Sequence, residues 1–338
     1  MVTSVKPKIL ITLGDVAGIG PEIVVRAWLK PCLHELCCPV IVGDVKRLEA
    51  TLRHLDYSAQ IVQIDSLAAI WETQPHQLIC IQSTSENLDS IPLGEVNPRA
   101  GKAAYDFLIA AIDLAMNRQA AAIVTAPLHK MALKAAGISF PGHTEILADR
   151  TGVSKFAMML YGKGLAINHV TLHVGLREVL AGITHSNIVE KIELLHEWLC
   201  MFNGSPPKLG VCALNPHASD GGLMGDEEAR IISPAIATTQ SKGIRASGPW
   251  PSDTLFRRAF QGEFQGVVAM YHDQGHIPMK LMADWAMVNV TLGLPILRTS
   301  VAHGTAFDIA SHFRADSASL LEAVRVAVQW AKQSNVRS

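Results

Sequence analysis

The chain has 338 residues, 49% of them hydrophobic and 17% charged, with a formal net charge of −1. Such a chain can bury a sizeable core and is long enough for two domains or one large α/β unit, and its charge balance removes the electrostatic case for broad nucleic-acid binding. No apolar run reaches the ~18 residues that span a bilayer, and the first residues lack the apolar core of a signal peptide, so a cytoplasmic protein is expected.

Lys8-Ile9-Leu10-Ile11-Thr12-Leu13 reads as a buried first strand, followed by a glycine-rich turn from Gly14 to Glu22 and a helix. Pro21 suits the first helical turn, and Glu22 favours the positive helix end. The turn has two open uses, a phosphate cradle or a tight strand-to-helix connection, and it lacks both Gly-x-Gly-x-x-Gly and a P-loop lysine. Strands are expected at 39–44, 61–64 and 78–81, with helices through Leu48 and Leu52 and from Lys102 to Met116. A strand at 121–127 continues the alternation, which predicts a mostly parallel sheet.

Pro141-Gly142-His143-Thr144-Glu145 precedes a helical pattern starting at Ile146. His143 and Thr144 then lie near a helix N-terminus, either as an anion site or with Thr144 as a plain N-cap. The run from Leu165 to Val174 contains His169 and His173, which would share an ion on a helix. Its β-branched content predicts a strand, where four steps separate them by about 13 Å. Only one can then be a ligand; His173, at the expected strand end, is the choice, and His169 is expected to be a satisfied sheet residue.

A helix through 188–199 leads to a strand at 209–214 that ends in Asn215-Pro216-His217-Ala218-Ser219-Asp220. Asp253 is a candidate general base or the cap of a helix starting near Leu255. Gly266-Val267-Val268-Ala269-Met270 is a further buried strand, and the polar stretch from Tyr271 to Lys280 is expected to be a strand-end loop bent by Gly275 and Pro278. A closing helix is expected over 319–332. His173, His217 and His272 each end a predicted strand, and three imidazoles plus water or substrate complete a catalytic divalent-metal site. Lys280, Arg298, His143 and Thr144 supply the donors expected around a phosphate. The six cysteines include no Cys-x-x-Cys pair and are read as packing residues.

Five co-linear motifs carry a resemblance: Gly14 to Glu22, Pro141 to Glu145, Leu214 to Ala218, Tyr271-His272-Asp273-Gln274-Gly275, and Val288 to Ser300. Together they resemble the 4-hydroxythreonine-4-phosphate dehydrogenase family of vitamin B6 synthesis. The resemblance implies a two-lobed α/β/α fold of the isocitrate/isopropylmalate dehydrogenase type with a central cleft. Expected domains are 1–130 with 280–338, and 131–279 carrying the interface of a homodimer. It further implies a divalent metal (zinc, magnesium, manganese or cobalt) held by His173 and His217 of one subunit and His272 of the other. By the same carry-over, His143, Thr144, Lys280, Asn289 and Arg298 contact a small phosphorylated hydroxy acid. His303-Gly304-Thr305-Ala306-Phe307-Asp308 is similar to a nucleotide loop, with His303, Gly304, Thr305 and Asp308 expected to bind NAD or, alternatively, NADP. Acid–base candidates are Asp253, Asp273 and Lys280.

The implied reaction is oxidation of 4-phosphohydroxy-L-threonine at its secondary hydroxyl followed by decarboxylation. Gly275-His276-Ile277-Pro278 is similar to the branch acting on 4-phospho-D-threonate or 4-phospho-D-erythronate, the alternative substrates. A metal-dependent hydrolase using the same histidines is a further alternative. Ser219-Asp220 and Ala302 depart from the Gly-Glu and Asp common at these places in the family.

Overall fold

The computed structural model describes residues 6–283 and 286–335. The chain divides into two compact units, Met1–Ser154 with Leu294–Lys332, and Lys155–Gly293 with Gln333–Ser338. These bounds differ from the expected 130/131 and 279/280. The helix at 143–151 packs on the helix at 98–116 in the first unit, while the strand at 288–292 pairs with that at 157–162 in the second.

The first unit opens with β1 (Lys8–Thr12), α1 (Gly20–Trp28), α2 (Pro31–Leu36), β2 (Cys38–Gly43), α3 (Val45–His54), β3 (Gln60–Gln63) and β4 (Gln77–Gln82). It continues with α4 (Pro98–Met116), β5 (Ala122–Thr125), α5 (Lys130–Ala135) and α6 (His143–Thr151). The chain then builds the second unit: β6 (Ala157–Gly162), β7 (Leu165–His169), α7 (Leu176–Gly182), α8 (His185–Asn203), β8 (Lys208–Cys212), α9 (Ser233–Ser241), β9 (Arg245–Trp250), α10 (Ser252–Phe260), β10 (Gly266–Ala269), α11 (His272–Ala283) and β11 (Val288–Leu292). It returns with β12 (Arg298–Val301) and α12 (Ala318–Asn335).

The strand order in the first unit is β3-β4-β2-β1-β5-β12, and every pairing is parallel. Parallel strands covered on both faces lose the in–out alternation, so β2 and β5 are buried at every residue. Side-chain caps set several helix starts: Asp44 accepts from Arg47 N at 2.7 Å and Asn97 from Arg99 N at 2.9 Å.

In the second unit the order is β11-β6-β7-β10-β8-β9. β11, β6 and β7 are antiparallel neighbours, whereas β7, β10, β8 and β9 run parallel. The expected strand 165–174 stops at His169, so His173 lies in the turn before α7. The expected loop 271–280 is mostly helix. Gly275, His276, Met279 and Ala283 form the buried side of α11 against β7, β10 and β6, and this packing holds the helix together despite Pro278 inside it. No helix among the described residues is long and apolar enough to cross a membrane.

Candidate metal and substrate site

Three adjacent parallel strands of the second unit, in the order β7-β10-β8, end at His169, Ala269 and Cys212. His173, His272 and His217 follow those three ends within a few residues, on the side of an open α/β sheet where ligands collect. The rings of His173 and His272 of one chain lie 6.0 Å apart between centroids. Among the described residues of one chain, no three His, Cys, Asp or Glu side chains close on a common point.

His272 is oriented from two sides. Its Nδ1 bonds Asp273 Oδ1 at 2.7 Å, and the His276 ring stacks on it at 3.7 Å with planes 12° apart. A carboxylate on Nδ1 leaves Nε2 as the nitrogen for a metal, the usual support of a ligating histidine. Asp273, expected as an acid–base candidate, is thus engaged as an orienting carboxylate. His276 bonds the His272 carbonyl through Nδ1 at 3.1 Å, and its pKa falls to about 4 through burial and then the neighbouring His272.

Beneath this pair lies His169, 1% exposed and 4.7 Å from the His276 ring. The expectation of a satisfied sheet residue fails: among the described residues neither ring nitrogen has a hydrogen-bond partner. Burial, then His276, His272 and His173, hold its pKa well below the usual histidine range, so the ring stays neutral. Gly275 is required here by close approach, since a Cβ would stand 2.4 Å from His169 Nε2.

Lys280 is exposed on α11, and Asn289 lies on β11 with its Oδ1 buried and unpartnered among the described residues. Asp253 is exposed in the first turn of α10, whose N-cap is Pro251, so it does not cap that helix. His217 is exposed in a left-handed turn held by Glu228, a buried carboxylate that sequence reasoning missed.

The remaining expected substrate contacts belong to the first unit. Gly142 is the N-cap of α6, which makes His143 and Thr144 its first two residues and excludes Thr144 as the cap. Arg298 is 2% exposed and donates from its guanidinium to Thr125 Oγ1 at 2.7 Å. Burial lowers its pKa to about 9, with Glu145 working in the other direction. Burial and then Arg298 hold His143 well below the ordinary imidazole range, leaving a neutral ring beside a cation.

The turn from Gly14 to Glu22 packs against the 303–308 loop of the same unit. Ile19 N donates to Thr305 O at 3.0 Å, and a Cβ on Gly18 would meet that oxygen at 2.7 Å. Thr305 is buried and serves to seat the loop, while Gly304 and Asp308 are exposed and His303 bonds the Gly304 carbonyl through Nδ1. His129, also missed from the sequence, stacks on Phe307 at 4.5 Å. Asp15 is fully buried; Ala17 N donates to one carboxylate oxygen, and burial lifts the pKa from 3.8 to about 6.

A family profile described as "Pyridoxal phosphate biosynthetic protein PdxA" matches residues 35–327. The chain belongs to the PdxA family. Among PdxA-like dehydrogenases, "D-threonate 4-phosphate dehydrogenase" of Cupriavidus necator is 41% identical over 96% of this chain and 97% of its own length. "4-hydroxythreonine-4-phosphate dehydrogenase" of Desulfosudis oleivorans is 44% identical over 96% of each. The crystal structure of the latter-named enzyme from Klebsiella pneumoniae matches with a TM-score of 0.89 and 39% identity, covering 96% of this chain and 99% of that one. The isocitrate dehydrogenase-like α/β class expected from the motifs is therefore the fold of this PdxA chain, and its family is one of dehydrogenases.

Proposed function

We propose that the chain is a divalent-metal- and NAD-dependent dehydrogenase of a small C4-phosphorylated hydroxy acid. The main reading is 4-phosphohydroxy-L-threonine, oxidised at its secondary hydroxyl and then decarboxylated as a β-keto acid. D-threonate 4-phosphate is the second reading, supported by the relative of that name. What carries the proposal is the placement of His173, His272 and His217 after the ends of three adjacent parallel strands in a chain of this dehydrogenase family.

The residues fit a metal: His272 offers Nε2 with Nδ1 already tied to Asp273, and His173 and His217 each follow the end of a neighbouring strand. When bound, the ion acidifies the substrate hydroxyl and stabilises negative charge, and the nicotinamide takes the hydride. Lys280 or Asp253 would take the hydroxyl proton; both are exposed and able to exchange it with solvent. His143 and Thr144 would hold phosphate oxygens at the α6 N-terminus with Arg298 as counter-charge, and Lys280 and Asn289 would contact the same substrate. The exposed groups of the 303–308 loop would meet the nucleotide.

The homodimer reading is supported by exposed apolar side chains near each proposed ligand. Leu176 and Leu180 follow His173, Leu223 and Met224 follow His217, and Ile277, Leu281 and Met282 follow His272. In such a dimer His272 would complete a site begun by the partner's His173 and His217. Mixing inactive His217→Ala and His272→Ala proteins under subunit exchange should restore activity, whereas no recovery after confirmed exchange would mean that all three act within one chain. Turnover of the two phosphorylated acids and their dephosphorylated forms with NAD tests the substrate; preference for a dephosphorylated form would refute the phosphate assignment.

A further inference from the structure

We propose that Glu228 and Ser219 are positioning residues that fix the backbone carrying His217. The proposal rests on His217 being a metal ligand and adds what holds it in place. From His217 to Asp220 four consecutive non-glycine residues take left-handed φ values of 52°, 55°, 67° and 46°. Side chains with a Cβ rarely keep that conformation unless the surroundings over-determine it.

The surroundings are supplied by one carboxylate. Glu228, 4% exposed, accepts with Oε1 from the backbone N–H groups of Leu214 and Asn215 at 2.8 and 2.7 Å. Its Oε2 accepts from Asn215 Nδ2 at 3.0 Å and from the hydroxyl of Ser219, itself 3% exposed. The same carboxylate therefore grips the chain two residues before His217 and two residues after it, while His217 is exposed between them. Asn215 is tied again by Glu227 Oε2 at 2.8 Å, and Met224 N donates back to Ser219 O at 3.2 Å. Glu228 opens a π-helical turn, Glu228–Ile232, a form of helix that recurs at functional sites.

The hydroxyl and the backbone angle at 219 can be separated experimentally. Ser219→Ala removes the bond to Glu228 and keeps the cost of φ 67°, whereas Ser219→Gly removes the bond and the cost together. Apo-protein of each full-length variant would be titrated with Co²⁺ by calorimetry, and the visible absorption of the loaded protein recorded as a signature of ligand geometry. Ser219→Ala and Glu228→Gln should bind Co²⁺ about 10- to 100-fold more weakly, with altered absorption bands, and Ser219→Gly should stay close to wild type. Wild-type affinity and spectra in the Ala and Gln variants would overturn the proposal. Circular dichroism and thermal melting of the apo-proteins separate a loss of fold from a displaced ligand. Undiminished Co²⁺ binding by His217→Ala would instead refute the ligand assignment itself.

Discussion

His276 lies face to face on His272, ring centroids 3.7 Å apart, while its own Nδ1 is tied to the His272 carbonyl. One residue thus fixes both the plane and the backbone of a candidate ligand. His276→Ala should weaken divalent-metal binding by about tenfold with the fold retained, and His276→Phe should recover part of the loss by restoring a stacked ring. Calorimetric metal titration checks both.

Arg298 presents the opposite problem, a cation almost wholly buried beside Thr125 and Glu145. Charge-assisted hydrogen bonds to phosphate are worth roughly 1.5–3 kcal/mol, so Arg298→Ala should raise KM for the phosphorylated acid by about tenfold or more. Lysine at this position should rescue only part, since it lacks the planar fork. The ratio of kcat/KM for phosphorylated and dephosphorylated acid, measured in each variant, isolates the phosphate contact from a general loss of stability.

Asp15 predicts a pH effect of definite sign. Its folded pKa of about 6 lies above the ordinary 3.8, so the native state holds this proton more tightly than the unfolded chain does. The resulting stabilisation is full below about pH 4 and is lost as pH rises through about 6. Relative to wild type, Asp15→Asn should therefore gain roughly 2–3 kcal/mol between pH 4 and 7, an upper bound set by about two units of pKa. Denaturant unfolding at both pH values measures the change in that difference.

Gly275→Ala should destabilise the protein by about 1–3 kcal/mol, because the added methyl enters space held by His169 Nε2 and Ile167 Cγ2. Shortening the obstructing ring should relieve part of this. In a double-mutant cycle, His169→Ala and Gly275→Ala should show favourable coupling by thermal or denaturant unfolding.

These residues also show where sequence reading stops. Strands such as β2 and β5 were legible because a doubly covered parallel strand is one continuous apolar run. His173, His217 and His272 were legible as polar residues just beyond such runs. The order β7-β10-β8 was not, since it depends on pairings between segments far apart in the chain. Helix α11 was misread because Gly275 and Pro278 signal a turn locally, and only the packing on β7, β10 and β6 overrules them. Glu228 carried no local signal at all; its partners Leu214, Asn215 and Ser219 lie 9 to 14 residues earlier, and a lone glutamate in a polar stretch reads as surface.

The make-up of α11 bears on how the protein fails when heated. Glycine and proline cost a helix interior about 1 and 3 kcal/mol relative to alanine, and this twelve-residue helix contains both. Its order is therefore borrowed from the sheet beneath it. Any loosening of that sheet would scatter His272, Asp273, His276 and Lys280 in one event, so catalysis should cease while most of the chain is still folded. Inactivation and global melting are then two temperatures, with the lower one belonging to this helix, and amide exchange along α11 should track the first.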